Sequence, residues 1–181
     1  MSERYNASLT NWDDGTSRAH LMRYFIARGF IEPNDEVLDA CCGTGYGSQL
    51  LSTHCQKITG IDYNDDAIAL AEDRKIKNAF FILDDIDNLE RYDLNVDVTV
   101  CLETLEHLRN PQKFVETIAK ITKRLIIFSV PFETDEEKVQ NEWHLNQFNE
   151  NSIIDLVVQS GWKMFHSVRQ GPYYIGIAYH D

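Results

Sequence analysis

The sequence lacks any apolar run that is long enough to cross a bilayer, which takes about 18 or more uncharged apolar residues in a row. No apolar stretch lies near the N-terminal methionine, so we expect no signal peptide. The four cysteines, Cys41, Cys42, Cys55 and Cys101, form neither a Cys-x-x-Cys pair nor the Cys/His spacing of a zinc site. These absences predict a cytoplasmic protein with reduced thiols.

Basic residues are also scarce. The 181 residues hold 17 Lys and Arg against 29 Asp and Glu, a formal net charge of −12, and no Lys/Arg run interrupts this acidity. An acidic surface repels phosphate backbones and anionic membranes, so neither a nucleic acid nor a membrane is an expected partner. With 43% hydrophobic and 25% charged residues the composition is that of a globular protein. We expect a single domain over residues 1–181, with an N-terminal helical segment at 1–30 and a core at 31–181.

Short apolar runs and helical patterns alternate from Glu36 onward. Five runs have strand length, namely EVLDACC, KITGID, AFFILD, VDVTVCL and RLIIFSVPF, and the segments between them repeat apolar residues at helical spacing. Alternation of this kind requires crossover connections and therefore predicts a parallel sheet with helices on both faces. The strands look too uniformly apolar to leave a face exposed.

The regions on either side of this core have patterns of their own. Residues 16–28 predict an amphipathic helix that stops at Gly29, and residues 149–160 predict another helix. The polar stretch 133–147 predicts a loop. Two further strand-like runs on either side of Gly171-Pro172 predict a hairpin that closes the sheet edge.

The segment VLDACCGTGYGS, residues 37–48, places glycines at 43, 45 and 47, where the first strand gives way to a helix. Glycine removes the Cβ that blocks a ligand from approaching the backbone, and amides at the start of a helix bind polar ligand atoms. A dinucleotide fingerprint needs its third glycine at position 48, which is serine, so a nicotinamide enzyme is disfavoured. A tight turn without any ligand remains the alternative.

Carboxylates follow the next two strands. Asp62 ends KITGID, at the position where doubly wound sheets place an acid that accepts hydrogen bonds from ribose hydroxyls. Alternatively, Asp62 caps the helix that begins near Asn64. Asp84 and Asp85 follow the third strand, with Ile86 next, and offer an acceptor and an apolar side chain for an adenine ring or simply a solvated helix start.

These elements together resemble a known family. VLDACCGTGYG, GIDYN, ILDDI and VDVTVCLETLEHLRNP occur in the order and at the spacing typical of class I S-adenosylmethionine-dependent methyltransferases, and are similar to the small-molecule type found in ubiquinone-pathway O-methyltransferases. Cys41 stands where that family usually has its first glycine. The resemblance implies a Rossmann-like three-layer α/β/α sandwich, with a seven-stranded, mostly parallel sheet and an antiparallel C-terminal hairpin.

The resemblance also implies the residues that bind the cofactor, S-adenosylmethionine. The turn after the first strand would shape the methionine and ribose site, Asp62 would hold the ribose hydroxyls, the residues after the second and third strands would face the adenine, and the end of the fourth strand would lie beneath the cofactor. The implied residues are Asp39, Cys41, Gly43, Thr44, Gly45, Asp62, Tyr63, Asp85, Ile86 and Leu102.

The cluster CLETLEHL offers further chemistry. Glu103, Glu106 and His107 stand at i, i+3 and i+4, on one face if a helix begins here. Two carboxylates and an imidazole can bind a divalent cation such as Mg²⁺ or Mn²⁺, and the segment is similar to metal-ligating ones in ubiquinone-pathway and small-RNA 2′-O-methyltransferases. His107 with Glu106 can instead supply a catalytic base, or the cluster orients substrate. His144 either adds a ligand or base from the following loop or packs on Phe148.

The sequence thus predicts methyl transfer from S-adenosylmethionine to a small-molecule acceptor, with oxygen as the favoured atom, by a monomer or homodimer. Methylation of a nucleic-acid end or base is an alternative that needs a local basic patch. A non-catalytic subunit that binds the cofactor is another, because the chain leaves little room for a substrate-recognition insert.

Overall fold

The computed structural model describes residues 15–132 and 143–179. Residues 133–142 of the predicted loop and residues 1–14 of the N-terminal segment lie outside this described part. Within it, none of the helices has both the length and the apolar character that a bilayer crossing requires.

Five α-helices and seven strands follow one another along the described chain. They are α1 (Gly15–Arg28), β1 (Glu36–Ala40), α2 (Tyr46–Ser52), β2 (Lys57–Asp62), α3 (Asp65–Asp73), β3 (Ala79–Leu83), β4 (Val96–Leu102), α4 (Pro111–Ile121), β5 (Thr122–Pro131), α5 (Glu150–Gln159), β6 (Lys163–Gln170) and β7 (Tyr173–Tyr179). Short 3-10 helices occupy Ile86–Arg91, after β3, and Leu105–His107, after β4.

The seven strands form one sheet in the order β3-β2-β1-β4-β5-β7-β6. The first five strands in this order pair in parallel, whereas β7 runs antiparallel to β5 and to β6. The prediction of a seven-stranded, mostly parallel sheet with an antiparallel C-terminal hairpin is confirmed.

Both faces of the sheet are covered, because residues of one strand alternate between two cores. Leu38 of β1 packs in the core that α4 and α5 cover, and Val37 packs in the core beneath α1 and α2. Capping residues explain where several helices begin. Asn64 accepts the backbone N–H of Ala67 at the start of α3, and Asn110 accepts that of Lys113 just before Pro111 begins α4.

One of the five apolar runs differs from the sequence-based expectation. Phe80 and Leu83 of β3 are exposed, so this strand does show a face to solvent. β3 stands at the edge of the sheet and has a neighbouring strand on one side only. A uniformly apolar run therefore did not require full burial here.

Candidate functional site

The carboxyl ends of β1 and β4 lie side by side at the centre of the sheet. From this point the chain adds β2 and β3 on one side and β5 on the other. Open parallel sheets bind ligands in the crevice outside such a switch point. The glycine turn follows β1 here, Glu103 follows β4, and Asp62 ends the adjacent β2, so the fold brings the predicted residues to one edge.

Three residues of the turn after β1 have a left-handed backbone. Their φ angles are +60° at Cys41, +53° at Gly43 and +71° at Gly45. Such angles favour glycine, which explains why the related family usually has glycine at the position of Cys41. A Cβ at Gly43 would meet no atom within 4 Å, so this glycine faces open space. We call this open space beside Gly43 the cradle.

The other two glycines of the turn face the protein. A Cβ at Gly45 would lie 2.7 Å from the Cβ of Ala71 in α3. A Cβ at Gly47 would lie 2.1 Å from Cζ of Tyr24, since the tyrosine ring of α1 rests on this backbone. The resemblance implied that Gly43 and Gly45 shape the cofactor site. A Cβ would meet open space at Gly43, whereas at Gly45 and Gly47 it would meet α3 and α1.

Asp62 turns its buried carboxylate toward this cradle. Oδ2 accepts the backbone N–H of Gly43 at 2.9 Å, and Oδ1 accepts that of Asn64 at 3.0 Å. The side chain thus joins the glycine turn to the start of α3. A carboxylate has about four lone-pair sites, so it can accept several hydrogen bonds at once. The capping alternative holds only in part, because Asn64 supplies the side-chain cap of α3.

Asp39 is fully buried, and its hydrogen bonds are with the protein. Tyr24 Oη donates to Oδ1 at 3.2 Å, and Ser48 Oγ donates to Oδ2 at 2.6 Å. Burial raises the pKa of Asp39 to about 7, against the opposing effect of these two bonds. Asp39 therefore joins β1 to α1 and α2.

The residues predicted to face the adenine lie after β2 and β3. Tyr63 is 63% exposed, Ile86 is buried, and Asp85 accepts the backbone N–H of Asp87 at the start of the 3-10 helix. The carboxylate of Asp84 bonds to other side chains of the protein. It accepts a hydrogen bond from Tyr92 Oη at 2.7 Å and one from Asn88 Nδ2 at 2.6 Å.

Leu102 and Thr44 lie on either side of the switch point. Leu102 is buried at the end of β4, in the core beneath α1 and α2. The hydroxyl of Thr44, in the glycine turn, is buried and has no hydrogen-bond partner among the described residues. A buried hydroxyl without a partner is costly, which favours a ligand at this turn.

Arg23 of α1 is a further candidate for the site, which the sequence left open because an amphipathic helix accounts for Arg23 and Tyr24 equally well. Its side chain is 1% exposed, with the guanidinium 3.9 Å above the ring of Tyr173 and Nε 3.7 Å from Oε1 of Glu103. Within the described part of the chain, Nε and Nη1 have no hydrogen-bond acceptor. The signal in the sequence was a basic residue on the helix face that also carries the buried Tyr24 and Ala27.

The position of Glu103 differs from the one that the predicted metal triad requires. The 3-10 helix begins at Leu105, and Glu103 precedes it with a φ of +54°, so Glu103 does not share a helical face with Glu106 and His107. Its Oε1 accepts from Ser129 Oγ at 2.6 Å and pairs with Arg23. The i, i+3, i+4 spacing failed because the first residue still belongs to the turn that leaves β4.

His144, and not Glu103, lies close to Glu106 and His107. Ligand atoms of Glu106, His107 and His144 all lie within 4.8 Å of one another, and the two imidazole rings are 5.0 Å apart. His107 Nδ1 lies 3.0 Å from the carbonyl oxygen of Trp143, which can only accept, so Nδ1 donates. In the neutral ring the lone pair is then on Nε2, 3.9 Å from Glu106 Oε1.

Hydrogen bonds hold His144 in this position. The carbonyl oxygen of Glu106 accepts the backbone N–H groups of Leu145 at 2.8 Å and Asn146 at 3.0 Å. Asn146 Nδ2 donates to the carbonyl oxygens of Leu105 at 3.3 Å and Leu108 at 2.6 Å. The segment 143–148 is therefore bound to the 3-10 helix after β4.

Comparisons with known proteins identify the family. A family described as a methyltransferase domain matches residues 31–170. A probable S-adenosylmethionine-dependent methyltransferase of Mycobacterium tuberculosis is 26% identical over 133 residues, which are 70% of this chain and 48% of that protein. The ubiquinone biosynthesis O-methyltransferase of Coxiella burnetii is 31% identical over 102 residues, 55% of this chain and 44% of that protein. The chain thus spans about half the length of these relatives.

Solved structures share the fold. A putative methyltransferase of Haloferax volcanii, in complex with the Trm112 methyltransferase activator, superposes with a TM-score of 0.79 at 15% identity, over 91% of both chains. The magnesium protoporphyrin IX methyltransferase of Synechocystis PCC 6803 gives 0.73 at 17% identity, over 93% of this chain and 88% of that one. With the family match over most of its length and the strand order above, this chain belongs to the class I S-adenosylmethionine-dependent methyltransferases.

Proposed function

We propose that this protein transfers the methyl group of S-adenosylmethionine to a small-molecule acceptor and that the acceptor atom is oxygen. The observation that carries the proposal is the open space at Gly43, beside the carboxylate of Asp62 at the switch point of the sheet. The relatives named as S-adenosylmethionine-dependent and ubiquinone biosynthesis methyltransferases support the cofactor and are compatible with oxygen.

The residues present fit this cofactor. A Cβ at Gly43 would enter the cradle, and buried polar atoms of Arg23 and Thr44 have no hydrogen-bond partner among the described residues. S-adenosylmethionine offers groups that match, because its carboxylate suits a guanidinium and its ribose hydroxyls suit a carboxylate. Arg23 would hold the amino-acid carboxylate, Asp62 the ribose, and Tyr63, Asp85 and Ile86 the adenine.

When bound, the cofactor supplies a methyl group on a positively charged sulfur. The residues of the chain then have to align the acceptor and exclude water, and such positioning contributes about 7 to 11 kcal/mol in favourable cases. A hydroxyl acceptor must also lose its proton. His107 suits this step, since its Nδ1 donates to Trp143 and leaves Nε2 to accept a proton. The neighbouring Glu106 carboxylate stabilises the imidazolium that forms.

Calorimetry with S-adenosylhomocysteine tests the cofactor assignment. Removing one charge-assisted hydrogen-bond partner costs about 1.5 to 3 kcal/mol, so Asp62→Ala should weaken binding by about 10- to 100-fold. Asp73→Ala at the exposed end of α3 is the matched control and should bind as the wild type does. No binding by the wild type, or an unchanged dissociation constant for Asp62→Ala, would contradict the proposal.

A divalent cation at Glu106, His107 and His144 is a second candidate feature. In the neutral His107 ring the Nε2 lone pair and the Glu106 carboxylate are two acceptors 3.9 Å apart, an arrangement that a cation between them stabilises. One carboxylate and two imidazoles can hold a divalent transition metal, among which Mn²⁺ also suits carboxylate ligands, and open coordination positions suit an oxygen acceptor. Bound there, the cation would supply Lewis-acid polarisation of that oxygen.

Calorimetric titration with Mn²⁺ tests this candidate. The wild type should bind one ion, His144→Ala should lose this binding, and His166→Ala, an exposed histidine of β6, should retain it. If the wild type binds no ion at saturating Mn²⁺, the cation is excluded and the base role of His107 remains.

A further inference from the structure

Two consecutive residues of α1 contact elements around the switch point, and both are buried. Arg23 pairs with Glu103 after β4, and Tyr24 donates to Asp39 of β1. We propose that Tyr24 is a positioning residue, which fixes α1 on the sheet so that the guanidinium of Arg23 meets the amino-acid end of the cofactor. This inference rests on the proposed function, because it concerns the same cofactor site. It predicts that Tyr24 affects binding of the amino-acid end of the ligand and not binding of its adenosine.

Tyr24 is anchored at two points that lie on different elements. Its hydroxyl donates to Oδ1 of Asp39 on β1, at 3.2 Å. Its ring rests on the backbone of α2 at Gly47, so closely that a Cβ there would be 2.1 Å from Cζ. The ring of Tyr46 packs edge-on at 5.6 Å. A hydroxyl anchor and a ring anchor together fix both the height and the rotation of α1 relative to the sheet.

Arg23 depends on this rotation. Successive residues of an α-helix point about 100° apart, so the direction of Arg23 follows from that of Tyr24. The guanidinium carbon lies 3.9 Å from the centre of the Tyr173 ring, and Nε is 3.7 Å from Glu103, a distance too long for a hydrogen bond. The contacts of Arg23 within the described residues therefore leave Nε and Nη1 open to a carboxylate, and they do not by themselves set the position of α1.

The position of Gly47 adds an independent reason. Gly47 has no left-handed φ angle, so backbone conformation does not require glycine there. The ring of Tyr24 is the contact that excludes a side chain at this position. Gly47 thus leaves room for the Tyr24 ring of α1, whereas Gly43 borders the cradle.

Affinities for two ligands distinguish two possible roles of Tyr24: positioning Arg23, or supporting the whole site. S-adenosylhomocysteine contains adenosine, sulfur and the amino-acid group, whereas 5′-methylthioadenosine contains adenosine and sulfur but no carboxylate. Tyr24→Phe removes only the hydroxyl anchor. We expect its dissociation constant for S-adenosylhomocysteine to rise about tenfold, as for loss of one hydrogen bond to a charged group, with that for 5′-methylthioadenosine within about twofold of the wild type. Tyr179→Phe, at the far end of β7, is the matched control and should change neither.

A double-mutant cycle tests whether the effect passes through Arg23. Arg23→Met should weaken S-adenosylhomocysteine selectively, and adding Tyr24→Phe to it should cause no further selective loss. Gly47→Ala displaces the ring and retains the hydroxyl, so it should reproduce the same selectivity by a second route, and Tyr24→Phe remains informative if that variant does not fold.

The outcomes distinguish this inference from the function on which it rests. Equal weakening of both ligands by Tyr24→Phe, no weakening of either, or additive effects with Arg23→Met would overturn the positioning role and leave the cofactor assignment intact. If the wild type binds neither ligand, the cofactor assignment itself fails, and the positioning role fails with it.

Discussion

At the scale of single residues, the glycines after β1 differ in their surroundings. Gly43 faces open space, and Gly45 is pressed against Ala71 of α3. Both have left-handed φ angles, so alanine at either position strains the backbone by about 1 to 2 kcal/mol. The two positions therefore differ in what else alanine would disturb, namely the cradle or the packing of α3.

We expect Gly43→Ala and Gly45→Ala to fail in different assays. Gly45→Ala should lower the free energy of unfolding by a further about 1 to 3 kcal/mol, because its Cβ overpacks against Ala71. Gly43→Ala should keep most of its stability and lose affinity for S-adenosylhomocysteine, because its Cβ enters the cradle. Urea denaturation and calorimetry on both variants measure this contrast. Wild-type affinity in Gly43→Ala would show that the ligand does not use this space.

Two buried titratable residues give the stability of the protein opposing dependences on pH. Burial raises the pKa of Asp39 to about 7, so its contribution to stability is present below about pH 4 and is lost as the pH rises through 7. Burial, with a smaller effect of Arg23, lowers the pKa of His20 to about 3. The contribution of His20 is therefore present above about pH 6.5 and is lost as the pH falls toward 3.

Asp39→Asn should remove the first of these effects. The free energy of unfolding of the variant, minus that of the wild type, should become more positive as the pH rises from about 4 to about 7. Urea denaturation at several pH values across this range measures the difference. His20→Gln provides the mirror-image control, since its difference from the wild type should become more positive as the pH falls. Parallel curves for Asp39→Asn and the wild type would contradict the raised pKa.

At the scale of structural elements, the segment 143–148 and the 3-10 helix Leu105–His107 form a unit. Backbone amides of Leu145 and Asn146 donate to Glu106, and the Asn146 side chain donates to two further carbonyl oxygens. This unit carries the His107–His144 pair and lies after β4, whereas the cradle proposed for adenosine lies after β1 and β2. The proposed acceptor half and cofactor half of the site are thus built by different elements.

Asn146→Ala should loosen the acceptor half without disturbing the cofactor half. Backbone amides of Leu145 and Asn146 should exchange with deuterium faster, because two bonds that hold the segment are gone. The dissociation constant for S-adenosylhomocysteine should stay within about twofold of the wild type, since a lost bond affects only the groups it joins. Asn151→Ala, exposed on α5, is the control for exchange. A large loss of cofactor affinity would show that the halves are coupled.

The elements themselves were largely predictable from the sequence. Apolar runs of strand length and helical spacing predicted the strands, and Gly29 and Pro111 predicted the end of α1 and the start of α4. These features depend on neighbours along the chain, which explains the success. The exposed faces of β3 and β6 were not predictable in this way, because the position of a strand at a sheet edge is decided by the whole topology.

At the scale of the whole molecule, the site combines residues that are far apart in sequence. Arg23 and Glu103 meet across 80 positions, and His107 and His144 belong to different elements. Local spacing cannot encode such pairs, so Arg23 went unassigned and the metal triad was drawn with Glu103. The cofactor half could be predicted further, because Gly43 and Asp62 each sit at a strand end that the alternating pattern already located.

The net charge is also a property of the whole molecule. With a net charge of −12, the molecule as a whole repels polyanions, and the buried cation in the site is Arg23, paired with Glu103. This distribution agrees with a small acceptor better than with a nucleic acid. The edge strands β3 and β6 present exposed apolar side chains, and unpaired strand edges are surfaces through which sheets can associate.

The crystal structure of the protein soaked with saturating S-adenosylhomocysteine tests the central claim most directly. The account predicts density for the ligand in the open space at Gly43, with both ribose hydroxyls within hydrogen-bond distance of Asp62 and the carboxylate on Arg23. Ligand density elsewhere on the molecule, or a cradle that stays empty of ligand at saturation, would contradict it.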